Sequence, residues 1–319
     1  MHRRKVFIIT IMVLITQYSF GQQFTNIHGD YLGQTPPGDT PVIFAPGIIS
    51  GNALEHSVAA FSPDANEVYW ASRNNQSAPL HVWYMKRINN RWTKPEVFAP
   101  LGDSTGCYDP FFSTDGKRLY FGADNNGNAD IWFVEKKDGG WSKPRILSPI
   151  INTAIDGQCQ AAFTNDGTIY YIDYKIIENK WTCDILRSKF INNEYQRPDT
   201  LPPSINSTSE GWTPYITPNE SYLLFASRRR NPGIPCDLYI SFHDVKKDTW
   251  TEPVNMGEPI NTDAQETFPM VSPDGKYLFF TRWTNETSGM DIYWVSATII
   301  DRLKEKMVQE NKTYYELFR

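Results

Sequence analysis

Ser272-Pro273-Asp274-Gly275-Lys276-Tyr277-Leu278-Phe279-Phe280 reads as a tight turn that runs straight into a strand. Pro presets φ for the second turn position, Asp caps the turn through its side chain, and Gly takes a positive φ at no steric cost. The aromatic and aliphatic run that follows is strand-forming. Versions of the turn recur as Ser62-Pro63-Asp64, Ser113-Thr114-Asp115-Gly116, Thr164-Asn165-Asp166-Gly167 and Thr217-Pro218-Asn219. The anchors Ser62, Ser113, Thr164, Thr217 and Ser272 lie 51, 51, 53 and 55 residues apart. A steady period of roughly 50 residues signals a propeller or solenoid array. Strand-rich units of that length predict propeller blades of four strands.

Two further signals keep the same phase. One is Asp before an apolar strand, in Asp130-Ile131-Trp132, Asp184-Ile185-Leu186, Asp237-Leu238-Tyr239 and Asp291-Ile292-Tyr293. The other is an aromatic residue three before Pro, in Trp92 to Pro95, Trp141 to Pro144, Tyr195 to Pro198 and Trp250 to Pro253. The order Ser-Pro-Asp-Gly, aromatic strand, Asp-Ile-Tyr, Trp-x-x-Pro resembles the TolB-type, WD-like β-propeller repeat of bacterial envelope and secreted proteins. The resemblance runs over nearly all of the chain after its first 21 residues. It implies the fold; blades of this kind serve binding proteins and enzymes alike. The first repeat departs from the pattern with Ala65-Asn66 for Gly and His81-Val82-Trp83 for Asp-Ile-Tyr, and the fourth has Asn219-Glu220 for Asp-Gly.

Five anchors predict five blades, and the chain ends complete the count. Pro41-Val42-Ile43-Phe44-Ala45-Pro46 resembles Pro95-Glu96-Val97-Phe98-Ala99-Pro100, the outermost strand of the first blade, yet no hairpin precedes it. The fifth repeat reaches Asp291-Ile292-Tyr293-Trp294-Val295 and then lacks a Trp-x-x-Pro strand. The N-terminal strand is therefore expected to close the last blade, which removes the open sheet edges of an array. The expected organisation is a propeller over 22–300, a segment from Gln22 to Thr40 extended over the surface, and a helical tail over 301–319. In that tail Leu303 and Met307 share one side and are expected to dock on the side or bottom of the ring.

His2-Arg3-Arg4-Lys5, the apolar run Val6 to Thr16 and Ser19-Phe20-Gly21 read as a secretory signal peptide over 1–21. The apolar run is short of the roughly 20 residues a membrane span needs. The expected location is the periplasm or the medium, with a monomer that does not span the membrane. Net charge is −5, which gives no support to nucleic-acid binding. Of the four cysteines, Cys107 and Cys159 fall near the same inner-strand position of adjacent blades and are the better disulfide candidate; the alternative is buried thiols. There is no C-x-x-C, G-x-S-x-G, H-E-x-x-H or Walker loop.

Chemistry is sought where inner strands line the axial channel. Glu55, Asp109, Asp156, Glu210 and Glu266 precede the five anchors. They form either an acidic ring at the channel mouth, for a cation or a sugar, or structural caps on neighbouring backbone. His56, Tyr108, Trp212 and Phe268 are aromatic candidates near the same mouth. Asp124, Asn126, Asn128 and Asp130 place oxygen at alternate positions, as calcium loops do. The turn glycine comes too early, though, so a plain Asn/Gly hairpin is expected and no cofactor is required. Arg228-Arg229-Arg230 occupies the equivalent loop of the fourth blade as an anion site or a solvated loop. The functional expectation is a binding module for a protein or peptide partner in the envelope, with an envelope glycan second. The alternative is a carbohydrate-active enzyme, a glycoside hydrolase or lyase, working through Glu210, Glu266 and Glu55.

Overall fold

Strands of period two that are apolar at every position must be covered on both faces. Tyr277-Leu278-Phe279-Phe280 meets that requirement by sending Leu278 and Phe280 into one buried cluster and Phe279 into another. The second strands of blades 1 and 2 do the same. Tyr69 and Ala71 pack against blade 2 while Val68 and Trp70 pack against blade 5; Leu119 and Phe121 face blade 1 while Tyr120 faces blade 3. Five hydrophobic clusters result, one at each interface between neighbouring blades. The computed structural model, which describes residues 27–51, 53–74, 77–125, 127–177, 180–206, 211–228, 235–285 and 289–317, is thus a closed five-bladed β-propeller. The leader read over 1–21, Asn126, Glu210, Arg229 and Arg230 lie outside the described residues.

Each blade is an antiparallel meander of four strands. Blade 2 runs Cys107–Phe112, Arg118–Asn125, Asn128–Lys137 and then the short outer pieces Gly140–Trp141 and Arg145–Ile146. Outer strands are two or three residues long throughout, which leaves little unpaired edge for another chain to add to. Blade 5 has the order Val42–Ile43, Gly289–Ser296, Tyr277–Asn285, Gln265–Val271. Val42 pairs with Trp294 and Ile43 with Tyr293, and Phe44 N donates to Ile292 O at 2.7 Å. The two chain ends share one sheet, as the complementary gaps in the repeat required. Phe44 then packs edge-on to Trp294 and Phe279 at the interface of blades 5 and 1.

The segment before this strand departs from expectation. Asp30–Gly33 forms a tight helical turn, with Tyr31 and Leu32 at φ 48° and 57°, both buried. Tyr31 touches Phe61, Tyr277, Phe279 and Trp294. It therefore wedges the closing interface instead of crossing the surface. Apolar burial outweighs the cost of the left-handed backbone. The C-terminal helix spans Thr298–Leu317. Its Ile300, Leu303 and Met307 pack on the cluster between blades 4 and 5, and Arg302 pairs with Asp39. Among the described residues no helix is long and apolar enough to cross a membrane.

The repeated turns share one wiring. Ser62, Ser113, Thr164 and Ser272 donate their hydroxyls to Asp64, Asp115, Asp166 and Asp274 at 2.5–2.7 Å. Each Asp also accepts a backbone N–H two residues on, at 3.0–3.2 Å. Ala65 and Glu220 stand where other turns have Gly and still take positive φ, 53° and 58°. A second repeated device is a side-chain clamp on the third strand. Asn152, Asn206 and Asn261 each accept from the backbone N–H and donate to the carbonyl of Ile131, Ile185 and Leu238. Ser50 does the same at Ile292.

Candidate functional site

The loops that enter the inner strands share one face of the ring with the hairpins between second and third strands. On this loop face a cleft of 1350 Å³ spreads over blades 1 to 4. Its wall carries His56, Tyr108, Asp109, Asp156, Gln160, Tyr174, Trp212 and Arg228. Two glycines admit its aromatic floor. A Cβ on Gly122 would stand 2.4 Å from Tyr108 Cε2, and one on Gly157 would stand 2.1 Å from Tyr174 Cζ. Each ring therefore rests directly on the backbone of its cross-strand partner. Exposed Ile155 and Ile176, at 85% and 59% of full accessibility, form an apolar rim.

Below the cleft the channel narrows to a cavity of about 40 Å³. The narrowing comes from a β-bulge in the inner strand of blades 2 to 5. The bulge residues Asp109, Gln160, Thr213 and Phe268 take φ of 50°, 56°, 52° and 52°, with Pro110, Pro214 and Pro269 beside three of them. Bulges re-aim side chains and recur near functional sites. Here they also form a ladder from blade to blade: Thr213 N donates to Gln160 Oε1 at 2.8 Å, and Phe268 N donates to Thr213 Oγ1 at 3.0 Å.

The four acids among the described residues, Glu55, Asp109, Asp156 and Glu266, do not share one level of the channel. By cross-strand register the equivalents of Glu266 are Glu55, Cys107, Gln158 and Gly211, opposite Arg282, Ser72, Ala123, Asp173 and Ser227 respectively. Asp109 belongs to the bulge level, and Asp156 precedes the strand of blade 3. Glu266 is fully buried and paired with Arg282 Nε at 2.8 Å, and it accepts from Thr262 Oγ1 at 2.7 Å. Burial still holds its carboxyl above the ordinary range, against the pull of Thr262 and Arg282. Glu55 is equally buried, but neither carboxylate oxygen has a hydrogen-bond partner. Desolvation first, and the charge of Asp291 second, push it up to about 9. Glu55 and Glu266 are thus buried and do not line the cleft. Asp156 pairs with Lys175 at 3.3 Å on the cleft wall.

His56, Tyr108, Asp109, Asp156 and Trp212 are brought together in the cleft, while Phe268 lines the narrow axial cavity beneath it. Tyr108 donates to Asp124 at 3.0 Å, and burial raises its hydroxyl pKa. Arg228 lies over the Trp212 ring at 4.7 Å and reaches Gln265 Oε1 at 3.4 Å, leaving its buried Nε without a hydrogen-bond partner. Asp109, with its side chain 5% exposed, has no hydrogen-bond donor on either carboxylate oxygen; His56 Nδ1 stands 3.8 Å away. The sequence reading missed Gln160, Tyr174 and Arg228's contact with Trp212. The bulge equivalence of Gln160 with Asp109, four residues before each anchor, was the signal for the first.

In the oxygen-rich hairpin the two carboxylates are kept apart. Asp124 pairs with Ala129 and Asp130 with Ala123, so the two carboxylates leave the sheet on opposite faces. Among the described residues no cluster of three His, Cys, Asp or Glu could hold a metal. The candidate Cys107–Cys159 bridge is not formed, and the alternative of buried thiols holds for both residues. The two belong to different interfaces, Cys107 between blades 1 and 2 and Cys159 between blades 3 and 4. Burial pushes the Cys107 thiol up to about 12 and that of Cys159 well above its usual value, which makes both poor nucleophiles.

Fold and cleft together define a five-bladed β-propeller with an open, aromatic-walled loop face. The chain is similar to the putative TolB of Agrobacterium tumefaciens, with TM-score 0.51 at 14% identity over 78% of this chain and 79% of that one. It is similar to TolB from Acinetobacter baumannii, with TM-score 0.48 at 16% identity over 78% of this chain and 59% of that one. The catalytic domain of the GH62 alpha-L-arabinofuranosidase of Coprinopsis cinerea gives TM-score 0.49 at 11% identity over 82% and 97%. Neither a protein-family model nor a curated protein sequence matches the chain. At these identities the likeness is one of fold.

Proposed function

We propose that the protein is an exported binding module whose loop-face cleft receives an extended segment of a protein or peptide partner in the cell envelope. The observation that carries this is the pairing of an aromatic floor with buried, unpartnered polar groups of opposite sign, Asp109 and Arg228 Nε. An apolar bed with a few fixed polar points is the usual make-up of a ligand site. A peptide supplies both a donor and an acceptor at every residue. The apolar rim of Ile155 and Ile176 adds contact area at the edge of the same cleft. Export rests on the basic and apolar character of the first 21 residues. The carbohydrate-enzyme alternative loses support from two of its three acids, since Glu55 and Glu266 are sealed between blades.

The test is selection of a random peptide library on the full chain, followed by titration of enriched peptides against Trp212→Ala. We expect at least a tenfold loss of affinity. Enriched peptides that bind the variant as tightly as the parent would place the interaction elsewhere and end this reading. Hydrolysis of a chromogenic glycoside, abolished by Glu210→Gln, would replace it with the enzyme.

A further inference from the structure

We infer that Asp109 is the anchor for a cationic group of the ligand, an ammonium or guanidinium that enters the axial mouth; the inference rests on the binding reading above and gives its ligand a charge. The argument begins with the ladder of bulges. In blades 3 and 4 the bulge side chain accepts the backbone N–H of the next bulge, Gln160 from Thr213 and Thr213 from Phe268. Asp109 occupies the same position in blade 2, with the same left-handed backbone at φ 50°. Its neighbour's N–H does not reach it, neither oxygen accepts a hydrogen bond from the protein, and its basic neighbour, His56 Nδ1, stands off at 3.8 Å. The side chain is 95% buried and lines both the cleft and the narrow cavity below.

A buried carboxylate without donors is costly, and a partner cation removes that cost. Elsewhere in the cleft the acids are already engaged, Asp156 by Lys175 and Asp124 by the Tyr108 hydroxyl. The rings around Asp109 suit a cation as well. His56 lies 6.4 Å from Tyr108 and 5.5 Å from Phe268, centroid to centroid. Carboxylate plus π-faces is the chemistry that selects ammonium and guanidinium groups. The wall already holds one guanidinium against a ring, Arg228 over Trp212. A net charge of −5 favours approach of a positive ligand.

The experiment titrates the full chain with n-butylguanidinium and with its neutral isostere n-butylurea, following the His56 and Trp212 ring resonances by NMR. The expected result is saturable binding of the cation, at least tenfold tighter than that of the urea. Asp109→Asn should erase the difference between the two probes. Asn tolerates the left-handed region at least as well as Asp, so the variant keeps the bulge. Equal binding of the two probes, or a preference that survives Asp109→Asn, overturns the anchor while leaving the peptide cleft standing. If neither probe perturbs either ring, the anchor is likewise overturned, and the peptide selection decides the binding reading separately.

Discussion

The turn face and the loop face of this ring carry acids with the same sequence periodicity and opposite physical meaning. On the turn face, Asp64, Asp115, Asp166 and Asp274 have one environment repeated four times. Burial alone would raise their pKa values, but the hydroxyl and backbone N–H that each accepts outweigh it and hold every one below the ordinary range. On the loop face, Glu55, Asp109, Asp156 and Glu266 have four different environments: buried without a hydrogen-bond donor, facing His56 at 3.8 Å in the cleft without a hydrogen-bond donor, paired with Lys175, and paired with Arg282. Repeated residue type with repeated wiring marks structure. Repeated type with divergent wiring marks positions where each blade has been free to differ, and the proposed ligand cleft lies there.

The largest effect that separates the two faces should come from Glu266→Ala. It strands Arg282, whose side chain is 12% exposed. Removing one partner of a buried pair costs about 3–5 kcal/mol, read as a lower urea midpoint. A loss under about 1 kcal/mol would mean that the Pro259 and Ile260 carbonyls, which Arg282 also reaches, suffice for it.

Next in size is Glu55→Gln, and its sign depends on pH. With its folded pKa up at about 9, the native state keeps a proton that the unfolded chain releases above about 4.3. Stability contributed by that proton is whole below this value and falls as pH rises toward 9. Glu55→Gln should therefore be nearly neutral at pH 4 and stabilising by up to about 5 kcal/mol at pH 8. Urea unfolding at the two pH values checks it, and an equal effect at both would show that Glu55 ionises freely in the fold.

The smallest effect belongs to a turn. Asp274→Ala removes an acceptor used by Ser272 and Lys276 N, at about 1 kcal/mol net. Asp115→Ala should cost about as much, because it removes the same hydroxyl and backbone N–H contacts, although Asp274 also meets the Tyr31 hydroxyl. The two losses should add, since distant sites act independently. The pH sense is the reverse of Glu55. With folded pKa values depressed, the turn contribution is present above the unfolded value near 3.9 and is lost as pH falls through the folded one. Losses at the two turns that differ severalfold would break the claim that one device is repeated.

The fold was legible because its signals are local. A Ser-Pro-Asp-Gly turn needs only its own residues, and the missing fourth strand of the last repeat pointed to Val42 and Ile43, which do pair with Trp294 and Tyr293. Tyr31 and Leu32 were not legible. Their burial depends on a gap between blades 5 and 1 that exists only once the ring has closed. The candidate site was half legible: His56, Tyr108, Asp109, Asp156 and Trp212 were placed at the mouth and line the cleft. Glu55 and Glu266 were grouped with them by counting back from the turns. Counting fails here because the strands carry bulges, and one extra residue moves a side chain to another face.

The amino-acid order thus determined the blade count, the turn chemistry and the seam, each set by contacts within about ten residues or by one complementary pair of strands. Which acids are sealed, paired or left open to a ligand was decided only by the tertiary structure. That outcome depends on what the neighbouring blade presents across an interface, and those facing residues are some 50 positions away in the chain.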